Sequence, residues 1–333
     1  MKYSRIAIVK LSSLGDIVHT LPALSLLRAE FPASSITWFA DPHGAELLKN
    51  FSGIDNIVSV DIKSGGILKR AGNIKKIISG YKGKFDLILD FQGLIKSAVL
   101  SRLLGKNTAG FGRGNVRESP AGLFYKMKPP LFDESNHVIK KNIHLLSTAG
   151  ILSDEIAYPV KAMDFTGGMK AFIEKNELET AGYVILNIGG GWESKILSPE
   201  QNREILSGIK PDLKKVVLWG NREEEIKADM ISEITGAIKV PFMNFNDLIL
   251  FISNAGTIIS ADSLPLHIAD ATGTRSVGIF GPTSPERNGS LNRNNLSIVH
   301  KIECSFCYKR KCSHKSCMVN LDLSPINDFV NGD

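Results

Sequence analysis

Three segments of this 333-residue chain place reactive or anion-binding groups directly after predicted strands. The first reads KLSSLGD over Lys10–Asp16 and follows the apolar run Arg5–Lys10. In open parallel sheets, ligands bind beyond the carboxyl ends of the strands, so this loop can present its serines and its carboxylate to a substrate. Asp16 is either a general base there or simply the cap of a helix predicted from Ile17. The loop matches neither G-x-G-x-x-G nor the P-loop pattern, which disfavours the common dinucleotide and nucleoside-triphosphate sites.

The second segment reads IGGGWESK over Ile188–Lys195, after the first predicted strand of the second half. Its three glycines expose backbone N–H groups and Lys195 adds a mobile positive charge, a combination that could hold a diphosphate. Taken alone, however, the segment is better described as a glycine-rich turn with a solvated lysine.

The third segment, Ser260–Ala271, runs from a predicted strand into a helix with Pro265 in its first turn. Ser263 and the free N–H groups behind it would form an anion site at the positive end of that helix. Alternatively, Asp262 or Ser263 only caps the helix and His267 packs in the core. Trp219–Glu225 could offer carboxylates to ribose hydroxyls or to the dipole of its own helix, and Phe280–Thr283 is predicted to line a cleft.

The elements that position these segments are short apolar runs alternating with helical patterns, as in parallel sheets with crossover helices. Ile17–Phe31 is predicted to be the first crossover helix, kinked or shortened by Pro22. The pattern predicts two α/β domains, residues 1–164 and 165–333. The predicted strands are Arg5–Lys10, Ser35–Ala40, Asn56–Val60, Phe85–Asp90, Tyr183–Ile188, Lys215–Trp219, Ala237–Val240, Thr257–Ser260, Ser276–Phe280 and Ser297–His300.

The formal charge of +6 favours an acidic partner: a nucleic acid, an anionic membrane surface or a phosphorylated small molecule. No stretch approaches the roughly 18–20 apolar residues of a membrane span, and the N-terminal apolar run is too short for a signal peptide. We therefore expect a cytoplasmic protein.

All four cysteines occur as Cys304-x2-Cys307-x4-Cys312-x4-Cys317. This spacing favours a structural zinc or iron site, with reduced free thiols as the alternative. Four thiolates leave no open coordination position, so no catalytic cofactor is expected. The chain after Val299 offers few large apolar residues, and a bound metal would help to order it.

Several of these segments, in this order, resemble the ADP-heptose:lipopolysaccharide heptosyltransferases of glycosyltransferase family 9, and most of all the heptosyltransferase I branch that acts on inner-core Kdo. The N-terminal pattern K-x-S-S-x-G-D-x-x-H-T-L-P-A-L is matched over Lys10–Leu24. The other matches are Gln92–Ala98, Arg117–Pro120 with Leu123–Tyr125, Trp192–Lys195, Trp219–Glu224, Met243 and Asp262–His267.

The resemblance implies a GT-B fold, in which two Rossmann-like domains face each other across a cleft, and an inverting, metal-independent single displacement. It assigns Asp16 as the general base and Lys195 as the group that neutralises the departing diphosphate. Its donor-binding positions are Gly190, Gly191, Lys195, Glu224, Met243, Asp262, Ser263, Leu264 and His267. Its acceptor-binding positions are Ser12, Ser13, Gly15, Lys63, Gln92, Lys96 and Arg117, with Lys69 and Arg70 as further basic candidates.

The implied partners are ADP-heptose and Kdo-lipid A, or another core acceptor, at the cytoplasmic face of the inner membrane. Two departures touch the donor site. The family's Asp-Thr-Gly is Asp262-Ser263-Leu264 here, and Lys195 is followed by Ile196–Pro199 instead of Arg/His-Trp-Pro. Another nucleotide-heptose, or a later core acceptor as in heptosyltransferase II, therefore remains open.

Two other classes compete with heptosyl transfer. A sugar-nucleotide epimerase would share the fold, but the acceptor-side motifs favour transfer. A nucleic-acid-binding module on the basic cysteine segment would need more stacking aromatics than Phe306 and Tyr308, so no nucleic-acid partner is expected.

Overall fold

The computed structural model describes residues 3–161 and 163–332. The chain divides after Lys161 into two compact units, each an α/β layer structure around a parallel sheet. The sequence pattern places this boundary after residue 164. None of the helices described is long and apolar enough to cross a bilayer.

Within residues 3–161, five strands pair in parallel in the order β3-β2-β1-β4-β5. The strands are β1 Arg5–Val9, β2 Ser35–Ala40, β3 Asn56–Ser59, β4 Leu87–Asp90 and β5 Thr108–Gly110. The helices are α1 Leu14–Val18, α2 Leu21–Glu30, α3 Pro42–Leu48, α4 Ile67–Tyr81, α5 Ile95–Leu104 and α6 Val138–Leu145. Short 3-10 turns cover Ser119–Phe124 and Leu146–Ala149.

Residues 163–332 contain a six-stranded parallel sheet in the order β11-β10-β9-β6-β7-β8. The strands are β6 Tyr183–Asn187, β7 Lys214–Leu218, β8 Ile238–Lys239, β9 Thr257–Ala261, β10 Ser276–Phe280 and β11 Leu296–Val299. The helices are α7 Gly167–Lys175, α8 Pro199–Gly208, α9 Arg222–Thr235, α10 Phe245–Ser253, α11 Leu264–Thr272, α12 Pro285–Asn288, α13 Ser316–Val319 and α14 Ser324–Asn331. A 3-10 turn covers Glu193–Lys195.

The strand order fixes where each unit can bind a ligand. In the first sheet the order reverses between β1 and β4, and in the second it reverses between β6 and β9. Ligands of doubly wound sheets bind beyond the carboxyl ends of strands at such a switch point. These strands are buried, as expected for parallel strands covered by helices on both faces. The loops that follow them are therefore the first places to look for chemistry.

The predicted helix Ile17–Phe31 is two helices, α1 and α2, separated at His19–Thr20. Pro22 occupies the first turn of α2, where the N–H that proline lacks has no intrahelical partner in any case. Strand β5 was not predicted, because its three residues Thr-Ala-Gly form no apolar run.

The expectation that the chain after Val299 offers too few large apolar residues to be ordered by burial is wrong for its last part. Met318, Leu323 and Ile326 are at most 3% exposed and belong to the core of the second unit. The sequence does not predict their burial, because these apolar side chains are scattered between turns and two short helices and form no periodic run.

Candidate active site

Asp16 lies in the first turn of α1, in the loop that follows β1 at the switch point of the first sheet. The helix begins at Leu14 and its N-cap is Ser13, so Asp16 is not the N-cap of a helix from Ile17. Asp16 still helps to cap α1, as the N3 residue of a capping box. The backbone N–H and the hydroxyl of Ser13 both donate to Asp16 Oδ2, each at 3.1 Å. The Asp16 side chain is still 31% exposed, so a substrate hydroxyl can reach it.

The surroundings of Asp16 favour its ionised form. Burial alone would raise the pKa of Asp16, but the charge of Lys10, the backbone N–H of Ser13 and the charge of Arg117 together hold that pKa below its usual value. The ammonium of Lys10 lies 4.0 Å from Asp16 Oδ2. Burial lowers the pKa of Lys10 itself, partly against the charge of Asp16. The carboxylate is therefore charged and ready to accept a proton near neutral pH.

Gln92 supports this loop from the neighbouring strand end. Its side-chain Oε1 accepts hydrogen bonds from the backbone N–H groups of Leu11 and Ser12, each at 3.0 Å. Gln92 is only 4% exposed, and the backbone N–H of Gln92 donates to Asp90 Oδ1 at 2.8 Å. These contacts position the Asp16 loop, and acceptor binding by Gln92 stays a prediction.

Asp90 is fully buried at the end of β4 and does not stand out in the sequence. The hydroxyl of Tyr125 donates to Asp90 Oδ2 at 2.8 Å. Burial raises the pKa of Asp90 in spite of its hydrogen bonds, and burial together with the Asp90 charge raises the pKa of Tyr125. A carboxylate that ends an otherwise apolar buried strand is the sequence signal that could have identified it.

The predicted acceptor-binding residues of the first unit fall into two groups. Ser12, Ser13 and Gly15 share the loop and first turn with Asp16, and Gln92 binds that loop. Arg117 is exposed and near enough to act on Asp16 electrostatically. Lys63 instead pairs with Asp41, the N-cap of α3, at 3.3 Å, and Lys96 is exposed on the first turn of α5.

In the second unit, Lys195 is buried and ion-paired, so the alternative of a solvated lysine is wrong. Its ammonium donates to Asp262 Oδ2 at 2.8 Å and to the backbone carbonyl of Asp262 at 2.9 Å. His267 Nε2 lies 3.1 Å from Asp262 Oδ1, and Asn288 donates to Oδ2 at 3.1 Å. The segments after β6 and β9 therefore meet at the switch point of the second sheet.

Asp262 is strongly biased toward its charged form. Burial opposes ionisation, but the hydrogen bond and charge of His267 and the ammonium of Lys195 hold the pKa of Asp262 far below its usual value. The carboxylate thus fixes Lys195 beside the start of α11, whose positive dipole end begins at Leu264. Ser263 is the N-cap of α11, and its hydroxyl oxygen accepts from the side-chain amide of Asn187 at 3.1 Å.

Glu224 joins the loops after β6 and β7. The backbone N–H groups of Gly190 and Gly220 donate to its two carboxylate oxygens at 3.3 and 2.7 Å. A Cβ on Gly189 would stand 2.4 Å from Glu224 Oε2, so the glycine run permits this close approach. Gly191 is exposed beside it.

Met243, which is predicted to bind the donor, is a half-buried apolar side chain in the loop after β8. In the same region, the indole N–H of Trp219 donates to the carbonyl of Val240 at 2.7 Å. Trp219 also packs against Phe242 with 5.9 Å between ring centroids. Trp219 directly precedes Gly220, whose backbone N–H is bonded to Glu224.

The four cysteines are free thiols in the described chain: Cys304 and Cys307 are exposed, Cys312 is half-buried and Cys317 is buried. Among residues 3–161 and 163–332, no three His, Cys, Asp or Glu side chains are arranged to hold a metal ion. Burial raises the pKa of Cys317, and the charges of the other three cysteines raise it further. Cys317 therefore lies near each of the other three thiols.

The arrangement offers two kinds of chemistry. The first unit presents a charged, accessible carboxylate that can take a proton. The second presents a fixed ammonium and a helix N-terminus, which together suit a diphosphate.

Comparisons with known proteins show the family and the fold. The family model described as glycosyltransferase family 9 (heptosyltransferase) matches residues 75–318. Lipopolysaccharide heptosyltransferase 1 of Campylobacter coli is 29% identical over 301 residues, covering 85% of this chain and 86% of its own.

Two solved structures share the fold. E. coli heptosyltransferase WaaC with ADP superimposes with a TM-score of 0.73 at 23% identity, covering 88% of this chain and 92% of its own. The iron-containing heptosyltransferase TibC in complex with ADP-D-beta-D-heptose gives a TM-score of 0.60 at 10% identity, covering 99% and 76%. The predicted GT-B class is confirmed, and the chain belongs to glycosyltransferase family 9, the heptosyltransferases.

Proposed function

We propose that the protein transfers L-glycero-D-manno-heptose from ADP-heptose to a Kdo residue of the lipopolysaccharide inner core, with inversion at the anomeric carbon. The observation that carries this proposal is that Asp16 and Lys195 each occupy the switch point of their own sheet. The name of the Campylobacter coli relative supports the acceptor class, and the ligands named for WaaC and TibC support an ADP-linked donor.

In the proposed reaction, Asp16 accepts the proton of an acceptor hydroxyl while the hydroxyl oxygen forms a bond to the anomeric carbon. The bond between that carbon and the β-phosphate oxygen breaks, and ADP leaves with the electron pair. Lys195 has three N–H donors, of which two are accepted by Asp262. The remaining donor and the start of α11 would stabilise the charge that develops on the diphosphate.

The rest of the donor would lie along the loops after β6, β7 and β8. Each oxygen of Glu224 accepts one backbone N–H and keeps a lone pair for a ribose hydroxyl. Met243 and the Trp219–Phe242 pair would cover the adenine. Leu264 stands where the family pattern has glycine. Because leucine carries a side chain, the backbone at this position cannot come as close to the phosphates.

The acceptor distinguishes this proposal from a heptosyltransferase II-like activity. Purified protein is incubated with ADP-heptose and either Kdo-lipid A or the same acceptor already carrying one heptose, and the products are weighed by mass spectrometry. Product from Kdo-lipid A alone supports the proposal. Product from only the heptosylated acceptor would assign the later step instead.

For the location of this activity, we propose that α4 rests on an anionic membrane surface. Between Ile62 and Phe85 the chain carries seven Lys or Arg residues and no Asp or Glu. At the start of α4, Ile67 and Leu68 are 82% and 89% exposed, whereas Ile77 and Tyr81 pack on the core. Exposed apolar groups surrounded by cations are typical of helices that lie in the membrane interface.

Flotation with vesicles tests this surface without any acceptor. We expect binding to phosphatidylcholine vesicles that contain phosphatidylglycerol, and loss of binding when Ile67→Ser and Leu68→Ser are combined. Leu152→Ser, which removes an apolar side chain that is 87% exposed elsewhere in the same unit, is the matched control. Equal binding of all variants would contradict the assignment.

For the cysteines, we propose that Cys304, Cys307, Cys312 and Cys317 hold one structural zinc or iron ion. The four thiols lie in one segment and interact electrostatically, and the related TibC is iron-containing. The described side chains are not arranged around a common ion, so binding would require this segment to rearrange. Elemental analysis of protein purified without a metal-affinity column tests the proposal, and a metal content near zero in reduced, active protein would contradict it.

A further inference from the structure

The segment Cys304–Arg310, here named the strap, connects the turn after β10 to the loop after β6 in the second unit. The backbone N–H of Phe306 donates to the carbonyl of Gly281 at 3.0 Å, and that of Tyr308 donates to the carbonyl of Pro282 at 2.8 Å. Gly281 and Pro282 directly follow β10. These two bonds fix the strap at the carboxyl end of β10, before the chain reaches the loop that follows β6.

Ser194 connects that loop to the strap. Its hydroxyl donates to the carbonyl of Lys309 at 2.7 Å, and its backbone N–H donates to the carbonyl of Arg310 at 3.2 Å. Ser194 is 2% exposed and directly precedes Lys195. The loop between β6 and α8, residues 188–198, is here named the donor loop. Both a side chain and a backbone group of this loop are therefore bonded to a segment more than 100 residues away, with a separation of 115 residues for the Lys309 bond.

Aromatic and charged contacts extend this junction to Trp192. The Tyr308 ring meets the Trp192 ring edge-on with 6.5 Å between centroids. The Arg310 guanidinium lies 5.7 Å from the same indole, and the Lys195 ammonium lies 4.2 Å from it. Trp192 thus contacts both the strap and the ammonium assigned to the diphosphate.

The chain beyond the strap is anchored independently in the second unit. Cys317 and Met318 are buried in its core, and the side-chain amide of Gln201 donates to the carbonyl of Met318 at 2.7 Å. A Cβ on Gly281 would stand 2.6 Å from Met318 Sδ, so the chain packs tightly against the turn after β10. The strap is therefore bonded to the turn after β10, and the chain that continues from it is packed in the core.

Lys195 is held at its ammonium end by Asp262, but the backbone that carries it has little regular structure. It consists of a glycine run followed by a single 3-10 turn over Glu193–Lys195, and glycines lose the most conformational freedom on ordering. We propose that the strap positions the Trp192–Lys195 loop for the donor diphosphate, with Ser194 as the positioning residue. The choice of diphosphate as ligand rests on the proposed function, whereas the ordering of the loop does not.

Ser194→Ala tests the proposal because it removes the hydroxyl bond and leaves the backbone bond. A net hydrogen bond of about 0.5–1.5 kcal/mol corresponds to an ADP dissociation constant raised about 2- to 12-fold. Adenosine, which lacks the diphosphate, should bind the variant and the wild type equally in calorimetry. The KM for the donor should rise by a larger factor than kcat falls. Ser194→Thr, which keeps the hydroxyl, should restore ADP binding.

Amide hydrogen exchange supplies a readout that needs no nucleotide. In Ser194→Ala, exchange over residues 190–196 should speed up, whereas it should be unchanged in Ser253→Ala, which removes an exposed hydroxyl bonded within α10. Unchanged exchange in the loop would overturn the strap proposal, as would equal losses of ADP and adenosine affinity. Wild-type protein that binds no ADP would contradict the proposed function, and the exchange result would still decide the role of the strap.

Discussion

The ammonium of Lys195 and the carboxylate of Asp262 form a buried ion pair with 2.8 Å between Nζ and Oδ2. Both side chains are less than one-tenth exposed, and Asp262 also contacts His267 and Asn288. A buried pair of this kind is costly to break from one side, because the remaining charge stays without its partner. Lys195 is therefore held in one place before any donor arrives.

Replacing Lys195 by Ala should weaken ADP binding and also slow transfer, because its charge meets the ground-state diphosphate and the charge that develops on it. The lost partner of Asp262 should also lower the free energy of unfolding by roughly 3 kcal/mol. Calorimetry with ADP and urea unfolding measure the two effects. Unchanged ADP affinity together with an unchanged rate would exclude Lys195 from the donor site.

Replacing Asp16 by Asn should lower turnover by roughly 10²–10⁴-fold, the usual contribution of a general base. The amide oxygen can still accept the two hydrogen bonds of Ser13, so the fold and the ADP affinity should not change. Single-turnover kinetics with saturating donor measure the effect. Near-normal turnover would remove Asp16 from the mechanism.

The depressed pKa of Asp16 sets the pH dependence. A base whose pKa is lowered stays charged as the pH falls, so the acidic limb of kcat/KM due to Asp16 should lie below about pH 4, the ordinary value for aspartate. Lys10→Met removes the foremost of the groups that lower this pKa, so the limb should move to higher pH. A limb that stays in place in this variant would show that another group controls it.

Much of the fold follows from local sequence. The buried parts of β1 and β6 are apolar except for Asn187 at the end of β6, and the polar loops that follow them lie where a parallel sheet binds ligands. The break between α1 and α2 is less predictable, because Pro22 is compatible with either a kink or a new start.

The contacts that define the site depend on long-range pairing. Lys195 meets Asp262 across 67 residues, and Asp90 meets Tyr125 across 35. Sequence periodicity carries no information on such pairs, so Lys195 is equally compatible with a solvated turn until the sheet brings β6 beside β9. The loops after the strands made Asp16 and Lys195 candidates, and the family resemblance favoured their functional roles over the structural alternatives.

Although the cysteines are far from Asp16 in sequence, we expect their loss to lower both the stability of the protein and its affinity for ADP. Cys307→Ser, or removal of a bound ion by a chelator, should lower the melting temperature because the ordered tail is loosened. Since Ser194 is bonded to the strap, ADP affinity should fall as well. Thermal unfolding and calorimetry on the same samples measure both quantities. A lower melting temperature with unchanged ADP affinity would confine the cysteines to a role in stability.

The most direct test of heptosyl transfer follows both the mass and the anomeric configuration of the product from ADP-heptose and Kdo-lipid A. The wild type should add one heptosyl residue with the anomeric configuration opposite to that of the donor, and Asp16→Asn should form the same product roughly 10²–10⁴-fold more slowly. Absence of product with the wild type, or a product that retains the configuration of the donor, would contradict the account.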